Sequence, residues 1–125
     1  MDAYGHVNNA RYFSWFETAR IAYLFKVGLV NEKGTTSDVG PIIASTTADY
    51  LKPVVFPSNV VVGARVSRIG NTSFTMEYAV EDEHGTPHAR GSAVVVTLRY
   101  STHEKLPVPE SVRSAIEQLE GKSFR

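Results

Sequence analysis

The 125-residue chain contains no cysteine, which removes a disulfide framework, thiolate metal ligands and a cysteine nucleophile together. No run approaches the roughly 18–20 consecutive apolar residues of a membrane span, and the first residues lack the charged-then-apolar order of a secretory signal. The expectation is a cytoplasmic protein with no membrane partner. An excess of either charge is also missing. Thirteen Lys and Arg balance thirteen Asp and Glu, so no global field draws in nucleic acid, and any phosphate recognition must be local. There is no Gly-x-Ser-x-Gly elbow, Gly-x-Gly-x-x-Gly loop, P-loop or His-Glu-x-x-His, so serine-hydrolase, dinucleotide, nucleotide-phosphate and zinc-protease chemistries lack their residues. The four histidines, His6, His84, His88 and His103, share no ligand spacing. His84 and His88 stand four apart across a turn, where helical geometry does not apply, and no metal is expected.

A chain of this length fits one domain, residues 1–125, and is long enough to bury a core. From Asn9 to about Val27 the residues predict a helix, with Asn8 or Asn9 as N-cap, Lys26 in the last turn and Gly28 as the stop. Its apolar residues, from Tyr12, Phe13, Trp15 and Phe16 to Leu24, Phe25 and Val27, cover more than one face, the pattern of a helix wrapped by other structure. Val30 to Val39 is polar and holds Gly34, a loop placed to rim a pocket. Strands follow at Pro41 to Leu51, Asn59 to Ile69, Ser73 to Asp82 and His88 to Tyr100. Gly70-Asn71 and Glu83-His84-Gly85-Thr86-Pro87 are the turns between the last three. The apolar centre Ala93 to Val96 predicts burial on both faces and hence a central strand. Pro107 and Pro109 end the sheet. Pro109 to Glu120 reads as a short amphipathic helix with Val112, Ala115, Ile116 and Leu119 on one side and Gly121 as its stop. One largely apolar helix with an antiparallel sheet is an α+β layer arrangement.

The densest polar cluster lies at the start: Asp2-Ala3-Tyr4-Gly5-His6-Val7-Asn8-Asn9-Ala10-Arg11-Tyr12. An acidic side chain, a glycine turn and exposed amides at a helix N-terminus can supply a base or nucleophile and a place for a developing oxyanion. Asp2, Gly5 and the helical Tyr12 resemble the signature of hotdog-fold acyl-CoA thioesterases of the 4-hydroxybenzoyl-CoA thioesterase-like branch. Gly5 to Asn9 is also similar to the matching segment of plant acyl-ACP thioesterases. The likeness continues through Tyr12 to Arg20, Tyr50-Leu51-Lys52-Pro53 and the last long strand, and so covers most of the chain. It implies a curved antiparallel sheet around one long helix and hydrolysis of an acyl-CoA or acyl-ACP thioester. Asp2 is the implied nucleophile or general base and the Asn9 N–H at the helix start the oxyanion donor; His6 is placed to orient substrate, donate to the thioester carbonyl or assist a water, or to serve only as a turn histidine bonded to backbone. Gly5, Val7, Asn8, Tyr12, Tyr50, Lys52 and Pro53 are the implied substrate contacts, with Lys52 able to meet a phosphate. Coenzyme A enters only as part of the substrate, and no other cofactor is implied.

In that family a strand precedes the catalytic Asp, whereas only Met1 does here, so either an upstream segment is missing or the start is internal to the gene product. An enoyl-CoA hydratase on the same fold is one alternative, but Asp2 and His6 stand four apart with no proline between them. A non-catalytic acyl-CoA-binding module is the other, since fold alone does not set function. Glu17 falls about 12 Å along the helix from Asn9 at about 1.5 Å per residue, too far to share an atom with it, and reads as an i,i+3 partner of Arg20. Arg65, Arg68, Arg90 and Arg99 are further nucleotide-contact candidates that exposed strand positions also explain. A single sheet around one helix leaves an edge open, and two hotdogs joined edge to edge would cover it, so a homodimer or homotetramer is expected.

Overall fold

Helix α1 occupies Asn9–Lys26 in the computed structural model, which describes residues 9–31, 37–52, 54 and 59–124. Its end is set by Gly28, whose φ of 84° is open to a residue without Cβ. The Leu29 N–H donates to the Leu24 carbonyl and the Gly28 N–H to that of Phe25, which satisfies the last orphan carbonyls in a Schellman closure. The apolar residues expected on more than one face divide between a buried stripe and an uncovered side. Tyr12, Phe16, Tyr23, Leu24 and Val27 form the buried stripe, while Phe13 and Phe25 are 41% and 49% exposed. A single sheet layer covers one side of a helix, and apolar residues on the other side stay uncovered within one chain.

The strands are β1 (Val39–Tyr50), β2 (Val60–Ile69), β3 (Ser73–Asp82), β4 (Pro87–Arg99) and the two-residue β5 (Glu104–Lys105), followed by helix α2 (Glu110–Glu120). All pairings are antiparallel. The order is β1-β4-β3-β2, with β5 added to the C-terminal end of β4. This is the hotdog architecture the resemblance implies. The predicted strands hold within a residue or two, and β4 is central, with Ala93, Val95, Val96 and Leu98 all buried. Alternation on β3 turns Phe74, Met76, Tyr78 and Val80 inward, each at most 3% exposed. Register shifts between Ile43 and Ser45 on β1 and between Val66 and Arg68 on β2 mark bulges, which bend strands and curve a sheet.

Phe16 seats the helix on the sheet, stacking on Tyr78 with centroids 5.0 Å apart and planes 16° from parallel. Gly91 on β4 makes this approach possible, because a Cβ there would lie 2.7 Å from Phe16 Cε2 and 2.7 Å from the Thr47 carbonyl oxygen. The second helix closes the other end. Glu120 accepts from the Tyr23 hydroxyl at 2.5 Å and from the Val66 N–H at the β2 bulge at 3.0 Å, so one carboxylate joins α1, β2 and α2. Burial first, then this carboxylate, pushes the Tyr23 hydroxyl far above its ordinary range. Val112 and Ile116 of α2 are buried, but Leu119, expected on the same side, is 46% exposed. Among the described residues no helix is long and apolar enough to cross a membrane.

The β3–β4 turn is organised by Asp82. Its Oδ1 accepts the backbone N–H groups of His84 and Thr86 at 2.9 and 3.0 Å, and its Oδ2 lies 2.9 Å from His88 Nε2. The His88 contact, followed by the Thr86 N–H, lowers the carboxyl from its ordinary 3.8 to about 2.

Both contacts can be tested through stability. Gly91→Ala inserts a methyl into backbone and ring at 2.7 Å and should cost about 2 kcal/mol of stability, read as a lowered Tm; an unchanged melt would show that α1 is not seated on β4 in this way. Asp82 titrates lower in the folded chain than unfolded, so its contribution is complete above about pH 4 and is lost as pH falls toward 2. Asp82→Asn should therefore flatten the acid limb of a Tm-against-pH curve between about pH 4 and 2, and equal slopes for the two proteins would contradict the assignment.

Candidate functional site

Four of the residues singled out from the sequence fall in described positions, and they gather at one end of the molecule. Asn9 is the first residue of α1, where backbone N–H groups have no partner within the helix and the dipole is positive. No acidic residue lies in that first turn, so the helix itself brings no counter-charge. One turn on, Tyr12 is 3% exposed. Its ring meets Trp15 edge-on at 5.4 Å and Tyr50, near the end of β1, at 4.9 Å. Burial raises the Tyr12 hydroxyl, and a hydrogen bond from the Val54 backbone partly offsets the rise. Tyr12 therefore ties the start of α1 to the end of β1 and to Val54 beyond it.

Lys52 follows Tyr50 by two residues and is exposed. Its backbone is held on both sides by His88: the Lys52 N–H donates to the His88 carbonyl at 3.1 Å, and the Lys52 carbonyl lies 3.3 Å from His88 Nδ1. The Leu51 N–H donates to the same His88 oxygen at 2.9 Å. Asp2, Gly5, His6, Val7, Asn8 and Pro53 lie outside the described residues, so the expected carboxylate, histidine and turn glycine belong to the sequence reading alone.

Other expectations resolve differently. Arg20 does not turn to the exposed Glu17; its Nη1 donates to the Tyr78 hydroxyl at 3.3 Å, because a half-buried guanidinium gains more from a buried acceptor than from a solvated carboxylate. Arg65 is paired with Glu77 at 2.7 Å and Arg99 stands 3.8 Å from Asp38. Two of the four strand arginines thus have protein partners. Arg90, with Asp49, Thr47 and Ser92, lines a hollow of about 750 Å³ on the sheet face turned away from α1, which does not reach the helix start. Among the described residues no three His, Asp or Glu side chains cluster as metal ligands.

Asp82 and His88 are the pair that sequence reasoning passed over. Their spacing fits no motif, but the two residues bracket a hairpin turn, and residues that bracket a tight turn become cross-strand neighbours. The register shift of β3 and β4 between Val80 and Glu81 is the feature that turns His88 onto Asp82, and no residue type announces it.

Comparison with known proteins agrees with this geometry. A family model described as the thioesterase-like superfamily matches residues 1–116. The chain is 34% identical over 97 residues to the uncharacterized protein YsmA of Bacillus subtilis (strain 168), a match that covers 78% of this chain and 64% of that protein's length, so the matched part falls short of two thirds of this relative. Among solved structures it is similar to a thioesterase from Thermus thermophilus complexed with coenzyme A and Zn, with a TM-score of 0.82 and 34% identity over 98% of this chain and 86% of that one. It is also similar to a thioesterase superfamily protein from Jannaschia sp. CCS1, with a TM-score of 0.84 and 30% identity over 98% and 77% of the two chains. Sheet order, helix seat and a match along nearly the whole sequence agree, and the chain belongs to the thioesterase-like superfamily of the hotdog fold.

Proposed function

We propose that this chain hydrolyses an acyl-CoA thioester to a free carboxylic acid and coenzyme A. The superfamily match over residues 1–116, which includes Asp2, Gly5 and Tyr12, carries the reading. The resemblance of the chain to a thioesterase complexed with coenzyme A supports the substrate class.

The thioester carbonyl would sit at the start of α1, its oxygen toward the Asn9 N–H. Charge that develops on that oxygen is favoured by an amide without a partner in the helix and by the positive end of the dipole, in surroundings that Tyr12, Trp15 and Val54 make poor in water. The Asp2 carboxylate then acts by one of two routes. As a nucleophile it adds to the carbonyl carbon, the C–S bond breaks, coenzyme A leaves as the thiolate and takes up a proton, and water hydrolyses the resulting anhydride. As a base it takes a proton from water, whose oxygen attacks the carbon directly; the C–S bond then breaks and coenzyme A leaves as the thiolate, which takes up the proton. His6 orients the thioester, with Gly5, Val7, Asn8 and Pro53 around it. Tyr12 and Tyr50 line the approach, and Lys52 meets the phosphate-bearing end of coenzyme A. The reaction as written uses no metal and no redox cofactor. Single turnover in ¹⁸O-water separates the two routes, since only the anhydride route can leave the label in Asp2.

The active unit is proposed to be a dimer or a pair of dimers. β1 is an outer strand whose Ile42 and Ile43 are 46% and 36% exposed, and Phe13 lies uncovered on the first turns of α1. Apolar side chains on an open strand edge are a liability that a second copy removes.

Asp2→Asn preserves shape and deletes the reactive charge, so thiol release from an acyl-CoA should fall by about 10²-fold or more with Tm unchanged. Retention of most of the activity by a folded Asn variant would exclude the assigned carboxylate. Sedimentation at low micromolar concentration should give twice or four times the chain mass, and a monomer active at full rate would refute the dimer as the active unit.

A further inference from the structure

The backbone of Lys52, a candidate phosphate contact, is fixed in part through another residue's side chain. Residues just past the end of an outer strand ordinarily lose one or both backbone hydrogen bonds to water. Here the N–H and the carbonyl of Lys52 both meet His88, at 3.1 and 3.3 Å, while the lysine itself is exposed. His88 is in turn held: only 12% of its side chain is exposed, and its Nε2 lies 2.9 Å from Asp82 Oδ2. Asp82 is anchored by the N–H groups of His84 and Thr86. The chain of contacts therefore runs from the β3–β4 turn, through an imidazole, to the backbone of an exposed lysine.

We propose that His88, backed by Asp82, is a positioning residue that sets Lys52 for the phosphate groups of an acyl-CoA; this rests on the acyl-CoA thioesterase reading above. Lys binds phosphate as a point charge on a flexible stem with little geometric preference of its own. Where its Cα stands, relative to the Tyr12–Tyr50 contact that leads to the start of α1, decides whether the nucleotide end and the thioester can be held at once. The two ring nitrogens face two acceptors, a carboxylate and a carbonyl. With both nitrogens protonated the ring donates to both, and the tasks are separate: Nε2 fixes the ring on Asp82 and Nδ1 fixes Lys52.

That division makes the proposal testable. In His88→Gln the amide nitrogen stands near the ε position, able to reach Asp82 but not the Lys52 carbonyl. In His88→Asn it stands near the δ position, able to reach Lys52 but not Asp82. KM and kcat are measured for one acyl group carried on coenzyme A and on N-acetylcysteamine, which lacks the phosphates, with Lys52→Ala as reference. The expected result is that His88→Gln and Lys52→Ala each raise KM for the CoA ester about five- to tenfold relative to the short ester, the scale of one lost polar contact. His88→Asn should restore the wild-type ratio even if its Tm is lower. Equal effects of His88→Gln on both esters, or no effect on either, would overturn the positioning role while leaving the thioesterase reading intact. A wild-type protein inert toward both esters would overturn that reading and this inference with it. If His88→Gln does not fold, the decision passes to His88→Asn and Lys52→Ala: a wild-type ratio in Lys52→Ala, or a raised ratio in His88→Asn, overturns the proposal.

Discussion

The seat of Phe16 on the sheet is the contact from which the rest of the molecule takes its shape. A helix that rests on one curved sheet can be held at a fixed depth only where a large side chain meets a surface that yields to it. Gly91 provides that surface at the centre of the strand order, and Tyr78 provides a flat ring for Phe16 to lie against. Burial of aromatic side chains of this size dominates core energetics, while the absent Cβ at Gly91 sets how near the axis of α1 comes to β4. Tyr12 lies one turn before Phe16, and its edge-on contacts with Trp15 and Tyr50 inherit that depth. Where the helix start stands is thus decided by packing several residues further along, in the part of the fold with least freedom to adjust.

Two carboxylates do comparable work at opposite ends of this seat. Glu120 joins the end of α1 to the β2 bulge, where Val66 has an N–H to offer because the register shifts there. Asp82 gathers two turn amides and the His88 ring. Each satisfies backbone donors that a bulge or turn leaves over, Glu120 across elements distant in sequence and Asp82 within its own turn. An unpaired buried donor costs about 1–3 kcal/mol, so irregular points in a sheet become stable only where such an acceptor exists. The irregularities also give the sheet its bend and direct side chains away from strict alternation. In this protein they send His88 toward Asp82 and Lys52.

Much of this was legible in the residues and some was not, for reasons that separate cleanly. The strands were readable because period-2 alternation on β3 and the apolar centre of β4 are imposed by burial itself, and the helix ends because Gly28 and Gly121 both adopt the left-handed conformation that glycine tolerates best. The apolar residues of α1 were expected on more than one face, and not all of them are buried, because composition reports how apolar a helix is, not how many layers one chain can place around it. Phe13 and Phe25 carry the apolar signal without the burial. Leu119 continues the helical spacing of Val112 and Ile116 but is 46% exposed, since periodicity marks a face and not how much of it is covered. Arg20 was assigned to Glu17 by helical spacing, a local rule, and went to Tyr78, 58 positions away. The link from Asp82 through His88 to Lys52 could not be read because two of its steps depend on a register shift and on β1 ending beside β4, both properties of the paired strands. The start of the chain, with Asp2 and His6, was legible only by resemblance.

The charge balance of the chain adds one further constraint on how a polyanionic thioester would be recognised. With thirteen charges of each sign, steering from a distance is weak, and surface arginines such as Arg65 are already matched by carboxylates at contact distance. Among the described residues, local sources of attraction include the amide end of α1, which has no acidic residue in its first turn, and, on the proposed reading, the exposed ammonium of Lys52. Such sources act over a turn of helix or the length of one side chain, well inside the roughly 8–10 Å over which salt screens charge. Their value depends on placement far more than on strength. A field of that kind rewards rigid scaffolding, and the packing of Phe16 on Gly91 and the holding of Lys52 through His88 are the two places where this chain supplies it.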